Sequence, residues 1–246
     1  MVKQMRIDIL GVGFDNLTMA EAVEEGVRLL HAPGAHYVVT PNPEIVEVCR
    51  EDASANAAVN GADLVIPDGI GVIYGAKILG TPLKQKIPGI EFASALMERM
   101  AAEGKSLYLL GAKPGVAELA AEKLRAAYPG LVIAGTHDGY FKEDAPVVAD
   151  IRASMADVVF VCLGAPKQEK WMQKNGEATG AHLLLGLGGS LDVFAGVVQR
   201  APEIFTKTGM EWFYRLLKQP SRIGRMMRLP LFLVHAVGEK GHRGRD

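Results

Sequence analysis

Short apolar runs rich in β-branched residues recur at 37–40, 64–66, 107–110, 158–163 and 183–187, with 6–10 and 132–134 as further candidates. Helix-length segments separate them, and this alternation predicts an α/β domain built on a mainly parallel sheet flanked by helices. Thr18-Met-Ala-Glu21 has the spacing of a capping box and predicts a helix running to Leu30. Gly89 precedes a second helix reaching about Glu103. There is no internal repeat and no low-complexity stretch.

The junction after each strand is polar and rich in Gly and Pro. These junctions read Thr40-Pro-Asn42-Pro-Glu44, Pro67-Asp68-Gly69, Gly111-Ala-Lys-Pro-Gly115, Gly164-Ala-Pro166-Lys-Gln168-Glu169 and Gly188-Gly189-Ser190-Leu-Asp192. In open α/β sheets ligands sit beyond the carboxyl ends of the strands, so five such junctions predict a site along one rim.

Composition refines this picture without changing it. Apolar residues make up 49% and charged residues 22% of 246, as in an ordinary globular chain. The two cysteines, Cys49 and Cys162, each lie in an apolar run and read as reduced core thiols, which suits a cytoplasmic setting. The N-terminus shows no export signal, and no stretch approaches the ~18–20 apolar residues of a membrane span. The near-zero net charge hides an asymmetry. Residues 209–246 hold eight Lys/Arg against three Asp/Glu, a net +5, leaving −6 for residues 1–208. Two units are therefore expected: a domain over 1–208 and a basic amphipathic C-terminal appendage over 209–246, suited to a polyanionic or membrane partner.

The junctions carry the candidate chemistry. Gly111-x-x-x-Gly115 and Gly188-Gly189 allow close backbone approach and aim helix N-termini at the rim, where a phosphate is favoured; turn geometry alone also accounts for them. Neither is a Walker loop or a full G-x-G-x-x-G. Asp68, directly after a strand, is placed to take a proton from a ligand hydroxyl, or else only caps the helix near Gly69. Thr40 and Asn42, stiffened by flanking prolines, read as recognition groups or as plain caps. The six histidines show no ligand spacing and there is no Asp-x-Asp, so no metal or other cofactor is expected. Arg215, Arg222 and Arg225, which with Arg228 form a basic stripe beside Trp212, Phe213 and Tyr214, could supply a cation to balance a phosphate; a solvated charge face packing its Trp and Leu residues on the core is the alternative. The apolar run at 229–237 is short enough to lie in a membrane interface rather than cross it.

Taken in order, these pieces, together with Gly135-Thr-His-Asp-Gly139-Tyr140-Phe141, Arg200-Ala-Pro202 and Gly209-Met-Glu-Trp212-Phe-Tyr-Arg215, resemble the WecG/TagA/CpsF family of glycosyltransferases over nearly the whole chain. The resemblance implies a Rossmann-like fold. It also implies transfer of N-acetylmannosamine from its UDP-sugar to N-acetylglucosamine on undecaprenyl diphosphate, inverting and β-1,4, on the way to wall teichoic acid. Asp68 would be the general base beside Thr40 and Asn42. Tyr140, Gln168 and Asp192 would contact the donor, and Arg215, Arg222 and Arg225 the diphosphate. Where the family commonly has Arg-Val-Thr-Gly-x-Asp, this chain reads Lys86-Ile-Pro88-Gly-Ile-Glu91. Lysine keeps the charge without the bidentate fork, and proline removes a hydroxyl and an N–H. The expected partners are the UDP-N-acetylhexosamine, the lipid-linked acceptor and the anionic inner face of the cell membrane, with no nucleic acid. A monomer and a homo-oligomer are both compatible with the pattern. The same mechanism with UDP-N-acetylmannosaminuronic acid or UDP-glucose is the near alternative. An NAD(P)-dependent oxidoreductase and a non-catalytic nucleotide-binding protein are the distant ones.

Overall fold

The computed structural model describes residues 6–199 and 228–243. The chain runs β1 (Ile7–Ile9), β2 (Val12–Phe14), α1 (Met19–His31), β3 (His36–Val39), α2 (Pro43–Glu51), α3 (Ala53–Asn60) and β4 (Leu64–Val65). It continues through α4 (Ile70–Ile78), α5 (Gly89–Ala102), β5 (Ser106–Gly111), α6 (Val116–Ala127), β6 (Val132–His137) and α7 (Asp144–Ser154). β7 (Val158–Cys162), α8 (Lys167–Thr179), β8 (Leu183–Gly186), α9 (Ser190–Phe194) and, near the C-terminus, α10 (Arg228–Arg243) complete it.

Six strands form one sheet in the order β4-β3-β8-β7-β5-β6, every neighbouring pair parallel. The expected Rossmann-like architecture is thus present. Strand residues alternate between two cores: Tyr108, Leu110, Val159, Val161 and Leu184 face one, Leu107, Leu109, Val158, Phe160 and Leu185 the other. Helices α2, α4, α7, α8 and α10 cover the first face and α1, α5, α6 and α9 the second. Burial on both faces is why these strands read as unbroken apolar runs. Both cysteines lie in the cores, and burial pushes each thiol up to about 12.

The capping box at α1 forms as expected: the Glu21 N–H donates to Thr18 Oγ1 at 3.3 Å and the Thr18 N–H to Glu21 Oε2 at 2.7 Å. The segment 6–10 departs from expectation. The chain reverses at Leu10 and Gly11, with φ of 53° and 85°, so Ile9 pairs with Val12 in a separate two-stranded antiparallel sheet. A two-residue hairpin with positive φ at both positions usually carries Asn-Gly or Asp-Gly, and Leu-Gly disguises it as one continuing strand. Arg6 anchors this hairpin, paired with Asp15 at 3.1 Å and donating to the carbonyls of Asn60, Ala62 and Asp63.

The C-terminal helix is bound through a notch. A Cβ on Gly71 would lie 2.5 Å from Leu229 Cδ1, and one on Gly75 would lie 2.5 Å from Phe232 Cζ, so two glycines one turn apart on α4 let α10 approach closely. Phe232 and Ala236 are fully buried there. Arg228 pairs with Glu51 at 3.0 Å, and His235 reaches the buried Glu47 of α2 at 3.0 Å. Replacing Gly75 by Ala should force the Phe232 ring aside and cost about 1–3 kcal/mol, read as a lowered denaturation midpoint with unchanged far-ultraviolet dichroism.

Candidate active site

Because all six strands are parallel, their carboxyl ends meet on one rim, and the loops expected to carry chemistry are joined there by hydrogen bonds. After β5 the chain crosses to β6 at the sheet edge, whereas after β7 it turns back to β8, and α6 and α8 lie on opposite faces. The loops 111–115 and 164–168 therefore flank a topological switch point, the place where open α/β sheets hold their ligands. Three contacts tie the loop bearing Tyr140 to that point. The Gly139 N–H donates to Ala112 O at 2.9 Å, Lys167 Nζ donates to Gly139 O at 3.2 Å, and the same ammonium lies 4.7 Å from the centre of the Phe141 ring. Tyr140 is 70% exposed, with its N–H on Asp138 Oδ1 at 2.7 Å. Its ring is open to a ligand.

On the other half of the rim, Asp68 follows β4 and is half-buried. The N-cap of α4 is Gly69, the next residue along. Asp68 Oδ2 accepts the N–H of Gly89, the first residue of α5, at 3.3 Å. The N-cap of α5 is Pro88, which has no hydroxyl to offer; the acceptor comes from across the rim. The Ile87 N–H donates to Pro67 O at 2.8 Å, which holds the loop carrying Lys86 against the Asp68 loop. The Lys86 ammonium has no ion-pair partner among the described residues.

Thr40 and Asn42 differ in what occupies them. Asn42 is the helix cap of α2, its Oδ1 accepting the Ile45 N–H at 3.0 Å, so the plain reading holds for that oxygen. Thr40 is no cap: buried, it donates from Oγ1 to Gly186 O at 3.1 Å, joining the ends of β3 and β8. It also packs against Gly89, where a Cβ would come within 3.0 Å of its methyl group.

Gln168 is 2% exposed and both ends of its amide are engaged. Oε1 accepts the Gly188 N–H at 2.9 Å, and Nε2 donates to Glu169 Oε1 at 2.9 Å. Gly188 has φ 54° and Gly189 is exposed, both in the turn that leads from β8 to α9. Asp192, half-buried on α9, accepts at its carbonyl from Val197 and Val198. The rim thus brings together Thr40, Asn42, Asp68, Lys86, Gln168, Gly188, Gly189 and Asp192, with Tyr140 on the loop after β6. Arg215, Arg222 and Arg225 lie outside the described residues.

Two neighbours of Gln168 that the sequence pattern does not single out also shape the rim. Lys167 ties two of its loops, and Glu169 is fully buried directly behind Gln168. The signal that could have found them is adjacency to Gln168 in a polar junction. Among the described residues no group of three His, Cys, Asp or Glu side chains converges as metal ligands do.

A crevice at the switch point of a parallel sheet is where α/β enzymes hold their ligands, and comparison with known proteins gives the class. The model of the glycosyl transferase WecG/TagA/CpsF family matches residues 7–246, and the chain belongs to that family. It is a glycosyltransferase. Its similar relatives include the N-acetylglucosaminyldiphosphoundecaprenol N-acetyl-beta-D-mannosaminyltransferases of Staphylococcus aureus strains MW2 and NCTC 8325 / PS 47. Each is 37% identical over 237 residues, covering 96% of this chain and 93% of the relative.

Proposed function

We propose that this enzyme moves N-acetylmannosamine from UDP-N-acetylmannosamine to the 4-hydroxyl of N-acetylglucosamine on undecaprenyl diphosphate, an early step of wall teichoic acid or a related surface polysaccharide. The observation that carries the reading is the near full-length match to relatives named for that transfer, supported by the hydrogen-bonded rim that holds Asp68 and Thr40. In the proposed step Asp68 accepts the proton of the acceptor hydroxyl while the oxygen of that hydroxyl bonds to the anomeric carbon. The bond from that carbon to the diphosphate breaks, its electron pair leaves with UDP, and single displacement inverts the configuration. Lys86, Arg215, Arg222 and Arg225 balance the charge that builds on the leaving group. Tyr140, Gln168, Gly188, Gly189 and Asp192 form the donor side.

In this reading residues 1–208 form the catalytic unit and 209–246 the appendage that meets the anionic inner face of the membrane. No helix among the described residues is long and apolar enough to cross a membrane. On α10, opposite the face packed on α4, Leu231, Val234 and Val237 are exposed three residues apart. That stripe, beside the net +5 of the tail, supports interfacial attachment.

Offered a short-chain analogue of the lipid-linked acceptor, the enzyme should prefer UDP-N-acetylmannosamine over UDP-N-acetylmannosaminuronic acid and UDP-glucose, judged by product mass. Preference for the uronate would reassign Lys86 to the sugar carboxylate. Transfer should also persist in excess EDTA, because the charge is balanced by side-chain cations. Loss with EDTA and recovery with Mg²⁺ or Mn²⁺ would rule out the metal-free step.

A further inference from the structure

Glu169 is the least expected side chain behind the rim. It is fully buried, its Oε2 has no hydrogen-bond partner among the described residues, and burial pushes its carboxyl above the usual range. A buried, half-satisfied carboxyl costs stability, so a well-packed apolar side chain of the same size would serve the fold as well or better. What the carboxyl does is local. Its Oε1 accepts from Gln168 Nε2, and the same amide's oxygen accepts from Gly188. An amide has one oxygen and one NH₂ group, so an acceptor behind it and an N–H donor before it leave it a single orientation. Without Glu169 the buried amide loses the partner that fixes this choice. It would be free to turn its NH₂ towards Gly188, where two donors would meet.

We propose that Glu169 is a positioning residue: it locks the Gln168 amide, which holds the Gly188 N–H and thereby the glycine turn after β8. That turn is pinned from the other side by Thr40 Oγ1 on Gly186 O, and no Cβ fits freely at Gly186, where it would lie 2.8 Å from Met172 and 3.1 Å from Gln168 Nε2. A turn held at Gly186 and at Gly188 presents a fixed backbone to the donor. The inference rests on the donor-side role proposed for Gly188 and Gly189.

The test compares Glu169→Met, which keeps the volume and removes the acceptor, with Glu169→Gln, which keeps an acceptor oxygen. Glu169→Leu stands in if the methionine variant does not fold. Amide hydrogen exchange at Gly188, which needs no substrate, should speed up about tenfold in Glu169→Met, and Gln168→Met should reproduce this without further increase in the double variant. The donor KM should rise by about the same factor with kcat little changed, and Glu169→Gln should restore both. Unchanged Gly188 exchange in a folded Glu169→Met, or additive effects with Gln168→Met, would overturn the proposal. Failure of the unmodified enzyme to use UDP-N-acetylmannosamine would overturn the sugar assignment and leave the exchange result standing.

Discussion

Replacing Asp68 by Asn should lower turnover by about two to four orders of magnitude, the usual worth of a positioned acid or base, while UDP binding and the fold persist. On the rim the Asp68 carboxylate takes a proton in the proposed step, and its Oδ2 caps α5 through the Gly89 N–H. Asparagine keeps an oxygen in the second task and loses basicity in the first. The structural penalty includes a lost negative charge at a helix N-terminus, about 0.3–1 kcal/mol. Asp68→Ala removes both tasks and should lower stability as well as rate, so the pair separates the two roles. Rates within a few-fold of wild type in Asp68→Asn, measured at saturating donor and acceptor, would show that Asp68 is not the base.

Truncation after Thr208 should abolish both membrane attachment and transfer, including transfer to a water-soluble acceptor. Residues 1–208 carry net −6 and should be repelled by anionic lipid, whereas the removed segment carries net +5. At about 1 kcal/mol per basic residue near such a surface, the tail would suffice for reversible, salt-sensitive binding. Deletion also removes Arg215, Arg222 and Arg225, leaving the departing diphosphate without its proposed counter-charges in a site that must exclude water. The structure adds a cost. α10 buries Phe232 in the notch at Gly75 and satisfies the buried Glu47 through His235, so the truncated chain exposes an apolar groove and strips Glu47 of a partner. It should stay folded around its sheet but melt earlier, with burial of one such aromatic side chain worth about 1.5–3 kcal/mol. Arg222→Ala, which leaves α10 intact, should lose turnover more than attachment. Sedimentation with anionic vesicles and turnover on a soluble acceptor measure the two effects separately. A truncated enzyme that works on the soluble acceptor at the full rate would reduce the tail to an anchor.

How far the chain could be read depended on whether the deciding contact was local. The inner strands β5, β7 and β8 were legible because burial on both faces makes them apolar runs, and the five junctions because Gly and Pro punctuate them, whereas β6, half-exposed at the sheet edge and ending Gly-Thr-His, reads only as a candidate. The capping box of α1 was legible because both partners lie within one turn. The β1–β2 hairpin was not, since Leu10 takes a positive φ normally left to Asn, Asp or Gly. Nor was the cap of α5: Asp68 stands 21 residues before Gly89, and Pro88 gives no hint of where the acceptor comes from. Thr40 joins Gly186 across 146 residues, and the notch for α10 is visible only once Gly71 and Gly75 face Leu229 and Phe232. Residue types at the site were thus readable from their junctions, whereas the bonds that orient them are non-local pairings set by the order of strands in the sheet.

Transfer of N-acetylmannosamine to a lipid-linked N-acetylglucosamine, with Asp68 as base, can be put to one decisive comparison. Wild-type enzyme and Asp68→Asn are incubated side by side with UDP-N-acetylmannosamine and a short-chain acceptor analogue, and the products are weighed by mass spectrometry. The wild type should enlarge the acceptor by one N-acetylhexosamine and the variant should yield almost none. Acceptor left unchanged by the wild-type enzyme, or enlarged equally by both, would refute the assignment.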